Sequence, residues 1–303
     1  MGIGALIGAV IGAAAGASGI IIAGFTAGTM WAAGAALGSL FDKPDTGFSG
    51  STPTYSFGPI QNTRSQKLPV PLVYGQVRLA GNVIMQRFLD DQKTKQDMLI
   101  ALGLGEFESI SDVKVNELSL YERDLPEPPV FPPFLLKNPE GCSLNIYRGT
   151  ETQQADSRSL GGKRYPNTAY LAVTLKASEK ISGNPTITCI AKGRKVWTPD
   201  GVMYTTNPAW IVYDILTGTY YDPEQGRYEP VGLGLPKELV DLNSFKEAAA
   251  YCDEKVGGKP RFTIDYTIDT QKRAIDHLAD VLSCFRGALL AREKIALYID
   301  KPV

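Results

Sequence analysis

The first 41 residues contain no Asp, Glu, Lys, Arg or His, and every charged side chain of the protein lies after them. Glycines fall at Gly4, Gly8, Gly12 and Gly16, again at Gly24 and Gly28, and again at Gly34 and Gly38. A four-residue step places them on one face of a helix, where backbones approach closely; in lipid this is the small-xxx-small association pattern. A continuous helix of this length would reach about 60 Å, roughly twice the hydrocarbon core of a bilayer. Two spans, one long oligomeric helix and a hairpin bent near Ser18-Gly19 all satisfy that length. Ten glycines each weaken the helix by about 1 kcal/mol relative to alanine. The segment therefore needs neighbours, through self-association or packing inside a larger assembly. A cleaved signal peptide is not expected, because the basic start is missing and the apolar run is too long. A resident anchor would carry topogenic charge, and only Lys43 stands near the boundary.

The 303-residue chain has a net charge of -1, so no basic surface advertises specific nucleic-acid binding. Its length allows two or three domains. Cys142, Cys189, Cys252 and Cys284 are widely spaced. That excludes a zinc-type spacing and argues for four buried free thiols.

Residues 42–67 are rich in Gly, Pro, Ser and Thr without apolar period, which predicts a linker or extended arm. From 68 to 198 short β-branched runs predict a β-rich domain. Strands break at Gly75 and Gly81, an apolar strand runs through Leu99-Ile100-Ala101, and an alternating one surrounds Val113 and Val115. Six prolines between Pro126 and Pro139 forbid regular pairing and predict a Pro-rich excursion near 122–164 that contacts a neighbour or solvent. Two more strands follow, AYLAVTLKAS and PTITCIAKGRKVWTP, with Gly183-Asn184 available for the turn between them.

Residues 199–303 predict an α+β domain. Asn207-Pro208 opens a helix that Gly218 closes. Asp241 or Ser244 caps a second, with Phe245, Ala249, Cys252 and Val256 on one side and capping-box spacing between Ser244 and Glu247. RFTIDYTID alternates as a strand, and Thr270 leads a third helix bearing Ile275, Leu278, Leu282 and Phe285. A closing hairpin turns near Arg292-Glu293. The fold class is thus α+β and β-rich, preceded by an apolar glycine-rich helical segment.

No catalytic constellation emerges. His277 is the single histidine, without a nucleophile signature beside it, and fits a packed or half-exposed helix residue. The run ALGLGE at 101–106 lacks the Lys-Ser/Thr ending of a phosphate loop, and GLGLP at 232–236 fits a structural turn. Asp90-Asp91, Asp265 and Asp269 fit solvated surface charge. No cofactor, metal ligand set or enzymatic activity is expected. Tyr204, Tyr220, Tyr221 and Tyr228 gather around 200–230. They fit an interface, or equally a loop packed by its own tyrosines.

The order of YPNTAYLAV (165–173), GRKVW (193–197), NPAWIVYDILTG (207–218), a GLG turn (232–234), AAAYCDEKV (248–256), PRFTIDYTIDTQKRAIDHLADVLSCFRG (260–287) and the hairpin KIALYIDKP resembles the tail tip attachment protein, or central tail hub, of lambda-like long-tailed phages. LPVPLVYGQVRLAGNVI and IALGLGEFESISDVKVNELSL resemble the opening hub strands of related tail proteins. The resemblance implies a virion protein, assembled in the host cytoplasm as a homotrimer that closes the distal tail tube. It implies the distal tail protein, the C-terminus of the tape measure protein, and tail fibre or receptor-binding proteins as partners, and opening of the hub for genome delivery. It transfers no catalytic residue. Lambda-like members continue past the equivalent of Val303, which leaves host recognition to another chain or to residues beyond it. Joined to such a body, residues 1–41 read as a stored plug that meets the host membrane at ejection. The alternatives are a membrane-anchored cellular β-rich binding protein and a tail-tip cell-wall hydrolase.

Overall fold

A computed structural model describes residues 62–64, 69–116, 118–120, 142–223, 225–270 and 272–301. The glycine-stepped segment, most of the expected arm and the proline cluster lie outside the described residues. The first half of the described chain is nine strands: β1 Leu72–Tyr74, β2 Gln76–Leu79, β3 Asn82–Phe88, β4 Lys95–Leu104, β5 Phe107–Val115, β6 Leu118–Ser119, β7 Ser143–Arg148, β8 Thr168–Lys176 and β9 Ile187–Arg194. Eight of them form two four-stranded antiparallel sheets, ordered β3-β4-β8-β7 and β2-β9-β5-β6. Alternation does the sorting. Met98, Ile100 and Leu102 of β4 and Leu171, Val173 and Leu175 of β8 meet Val113, Val115, Ile187, Cys189 and Ala191 from the other sheet in one core.

β8 and β9 are the two strands expected around Gly183-Asn184, but they do not pair. β8 bonds β4 and β7, while β9 bonds β2 and β5, so the connection crosses between sheets. Residues 142–164, the described part of the expected excursion, are also not a solvent arm. Strand β7 pairs with β8, and the loop after it covers the outer face of that sheet. Tyr147 and Tyr170 stack there at 4.4 Å, with Leu99, Met85 and Ala172 around them. Buried Asp156 accepts from Asn145 Nδ2 at 2.7 Å and from the Tyr147 hydroxyl at 3.0 Å, and pairs with Arg158 at 2.9 Å. Because both faces are covered, β4 reads from Met98 to Leu104 as an unbroken run without a polar side chain.

The described end of the arm is docked. Val83 N donates to Thr63 O at 2.8 Å, and Asn62 Nδ2 donates to Gly81 O and Ile187 O. One asparagine thereby ties the ends of both sheets.

The second half holds β10 Val196–Thr198, β11 Gly201–Met203, α1 Pro208–Thr217, β12 Thr219–Asp222, β13 Arg227–Pro230, α2 Leu242–Asp253, β14 Lys255–Val256, β15 Lys259–Pro260, β16 Tyr266–Ile268, α3 Ala274–Ser283, β17 Gly287–Ala291 and β18 Ile295–Ile299. All ten residues of α1 are buried, and α2, α3 and the β17–β18 hairpin pack around it. Asn207 caps α1 as expected, accepting from Ala209 N at 3.0 Å, and its Nδ2 donates to Ala249 O of α2. Asp241 caps α2. The expected capping box is absent: the Ser244 hydroxyl donates to Asp241 O and accepts from Leu297 N, joining α2 to the final hairpin. Val256 leaves the helix for an exposed strand. Only Tyr266–Ile268 of RFTIDYTID form a strand, paired with β1. Helix α3 starts at Ala274 without a side-chain cap from its N-cap residue Arg273.

β1 joins the halves. Val73 sits in the sandwich core, while its neighbours Leu72 and Tyr74 sit in the helical core. Period-two alternation gives one short strand to both.

Candidate interface and the joint behind it

β12 and β13 form a hairpin in which Tyr220 opposes Glu229, Tyr221 opposes Tyr228, and Asp222 opposes Arg227. The rings of Tyr221 and Tyr228 meet edge-on at 5.3 Å, a cross-strand contact worth about 0.5–1.5 kcal/mol beyond its buried area. Tyr228 is 71% exposed. Burial raises the Tyr220 hydroxyl above its ordinary range, helped by Asp222 and Glu229. Tyr204 is half-buried after β11 and is also raised by burial, with Asp265 and Glu108 as its charged neighbours. Three of the four expected tyrosines therefore share one hairpin, and Tyr204 has a separate setting. The hairpin is held in place from both sides. Asn167 Nδ2 donates to Tyr221 O at 2.6 Å, and Val231 N donates to Gly218 O at 2.9 Å.

The GLGLP run behaves as the structural turn expected of it. Leu233 N and Leu235 N donate to Ile215 O and Leu216 O at the end of α1. A Cβ at Gly232 would fall 2.2 Å from Ile215 O, so only glycine permits this approach.

Beneath the hairpin lies a buried ionic joint. Asp214, one turn before the end of α1, accepts from the Tyr74 hydroxyl at 2.8 Å. Arg194 Nε lies 3.0 Å from Asp214 Oδ2, off the line of a good hydrogen bond, and Arg194 Nη2 donates to Oδ1 at 3.3 Å. Arg194 Nη1 reaches Leu104 O at 3.5 Å. A Cβ at Gly105 would press on this guanidinium at 2.9 Å, and Gly105 itself has φ +95°. Gly105 of ALGLGE thus makes room for an arginine of the protein, and Gly103 for the Phe107 ring and the Pro71 carbonyl, rather than for a phosphate. Burial, then the Asp214 carboxylate, push the Tyr74 hydroxyl well above its ordinary range. The joint ties β1 and β9 to α1, and all three of its side chains, Tyr74, Arg194 and Asp214, are buried. Sequence reasoning missed it, although a lone carboxylate inside the apolar helix PAWIVYDILT is a signal that a buried partner exists.

Other expectations resolve one by one. His277 is buried and hydrogen-bonded on α3. Asp90 accepts from Thr94 N and Oγ1 in an exposed turn. Asp265 is more than solvated charge, since its Oδ1 accepts from Gln76 N at 2.7 Å and fixes the β1–β2 corner. Cys142, Cys189 and Cys252 are buried, but Cys284, just past the last turn of α3, is exposed. Its place in the helical period puts it beside, not on, the stripe of Leu278, Leu282 and Phe285. Among the described residues no three His, Cys, Asp or Glu cluster as metal ligands, and no helix is long and apolar enough to cross a membrane. Gly4, Gly8, Gly12, Gly16, Gly24, Gly28, Gly34 and Gly38 lie outside the described residues.

No protein-family model matches the chain. A 105-residue stretch, 33% of the chain, is 35% identical to the tip attachment protein J of Escherichia phage SECphi27 and spans 8% of that protein's length. The chain is thus homologous over part of its length to a phage tail tip attachment protein. A solved chain from the virion of a native gene transfer agent particle is also similar, with a TM-score of 0.46 and 18% identity over 88% of this chain and 63% of that one.

Proposed function

We propose that this protein is a non-enzymatic structural component of a phage tail tip, acting as its central hub. The observation that carries this reading is the 35% identity over 105 residues to a tip attachment protein. In this role three copies close the distal end of the tail tube, with the distal tail protein above, the tape measure terminus in the lumen, and fibres or receptor-binding proteins outside. The fold offers physical support. A sandwich tied to a helical core by a buried ion pair suits a part that bears load without chemistry. The tyrosine hairpin, with Tyr228 projecting, supplies contact area for a neighbouring subunit.

Residues 1–41 act in this account as the lumen plug, their glycine faces buried against one another until the hub opens toward the host membrane. Antibody labelling of an epitope-tagged chain in intact particles tests the placement: gold at the distal tail end supports it, and label on the capsid or in the host membrane fraction refutes it. Deleting residues 2–41 tests the plug. Particles that assemble and deliver DNA normally without them would show that the segment has no such role.

A further inference from the structure

Two short hairpins stand at opposite ends of α1 and carry charge of opposite sign. The tyrosine hairpin β12–β13 follows the C-terminal end of that helix, where Val231 N donates to Gly218 O. The hairpin β14–β15 belongs to the other end. The chain leaving it returns to the helix start, where Ile264 N donates to Thr206 O at 2.9 Å, and Asn207 joins that start to Ala249 near the close of α2. Ten helical residues, about 15 Å, separate the two attachment points.

The β14–β15 hairpin presents side chains to the outside and buries none. Residues 253–260 are all exposed, and a Cβ on either turn glycine, Gly257 (φ +62°) or Gly258 (φ +84°), would meet nothing within 4 Å. Two successive left-handed residues preset a tight hairpin turn. Val256 opposes Lys259, which puts both side chains on one face, and Val256 is 53% exposed. Residues 255–261 hold three cations and no carboxylate. Arg261 pairs with Glu254 at 2.8 Å and lies 4.5 Å from the centre of the Tyr251 ring, and Lys301 lies over the same ring at 5.0 Å. Asp253 and Asp300 are the other carboxylates next to this group in the chain. Among the described residues Lys255 and Lys259 take part in no ion pair.

The tyrosine hairpin complements this surface. Tyr221 and Tyr228 share one face. Residues 219–230 carry three carboxylates against one cation, Arg227, which pairs with Glu229 at 2.5 Å. The exposed Tyr228 ring suits both a valine side chain and an ammonium group.

We infer that copies of this chain associate head to tail, the Val256–Lys259 face of one copy seated on the Tyr228 hairpin of the next. The inference rests on the proposed role of the chain as one of several copies at a tail tip, and it names the surface that the tyrosine hairpin meets. The two surfaces differ, so the contact is heterologous, and a rotation that closes makes it a ring. A two-fold contact would instead set Tyr228 against Tyr228 and acid against acid.

Cysteine cross-linking in purified particles tests the contact. On a Cys284→Ser background, which removes the exposed thiol, full-length chains carrying both Tyr228→Cys and Val256→Cys should form disulfide-linked multimers under mild oxidation. Either change alone should leave monomers. A double variant that stays monomeric, or a Tyr228→Cys chain that cross-links to itself, overturns the head-to-tail contact. Gold labelling of the same particles keeps the two readings apart. A monomeric double variant at the distal tail end overturns the contact and leaves the hub, whereas cross-linked chains away from the tail end refute the hub and leave the contact. Charge supplies a second arm if a cysteine variant does not enter particles. Lys255→Glu with Lys259→Glu should cut incorporation by about tenfold or more, since like charges then face each other. Lys163→Glu with Lys180→Glu, exposed on the sandwich, should not. Incorporation of the first variant at the level of the second overturns the contact.

Discussion

Arg194 and Asp214 meet across the boundary between the sandwich and the helical core, with 3.0 Å between Nε and Oδ2 and side-chain exposures of 6% and 5%. Breaking such a pair leaves the other charge buried and uncompensated, at a cost of about 3–5 kcal/mol, whereas replacing both partners by apolar side chains is often neutral. Asp214→Ala should therefore lower stability by about that amount in denaturant titration, and Arg194→Met combined with Asp214→Leu should recover most of it. Equal losses in the single and double variants would show that the pair does not act as a unit.

The thiols give a second test. Burial pushes the thiols of Cys189 and Cys252 up to about 12, and Cys142 is also buried. Only the thiolate attacks a disulfide reagent. At pH 8 the folded chain should present one fast-reacting thiol, Cys284, and four after denaturation. Cys284→Ser should remove the fast phase. Three or four fast thiols in the folded chain would contradict the packing of both cores.

Acid sensitivity follows from paired surface carboxylates. The Arg78 guanidinium, hydrogen-bonded to Asp112, holds that carboxyl below its ordinary range, and Arg273 does the same for Asp276. The unfolded chain then binds more protons than the folded chain as the pH falls. The stability these groups contribute is full above the ordinary carboxylate range and is lost as the pH drops through it to the depressed values. Arg78→Met should flatten that acid loss in urea titrations between pH 5 and pH 3, with little change in its slope near pH 7.

Local sequence signals located much of this fold because they act within one or two turns of chain. Asn207-Pro208 and Gly218 bracket α1 because a cap and a proline set the helix start whatever lies around it. The final hairpin and the strands at Gly75 and Gly81 were legible for the same reason. Partner choice was not. Alternation tells a strand which face is buried, but not which strand it bonds, so the passage of β8 and β9 into different sheets was invisible. Ser244 illustrates the same limit, since its hydroxyl is taken by Leu297 N, 53 residues away. At the candidate interface, composition drew attention to the tyrosines, and three of them do share a hairpin. The Arg194–Asp214 joint behind it needed a contact 20 residues distant.

The projecting Tyr228 separates folding from assembly. With Tyr228 71% exposed, Tyr228→Ser should change stability by no more than about 2 kcal/mol, as a surface change and a single aromatic contact together allow. If the hairpin faces a neighbouring subunit, the same change should reduce incorporation into particles, read by quantitative blotting of purified virions. Normal incorporation would remove the hairpin from the interface.

A reconstruction of the distal end of the intact particle by electron cryomicroscopy tests the hub assignment most directly. The account predicts density for residues 69–301 in three copies around the tail axis, next to the last ring of the tube. Density for the chain elsewhere in the particle, or a tube end closed by other proteins alone, would contradict it.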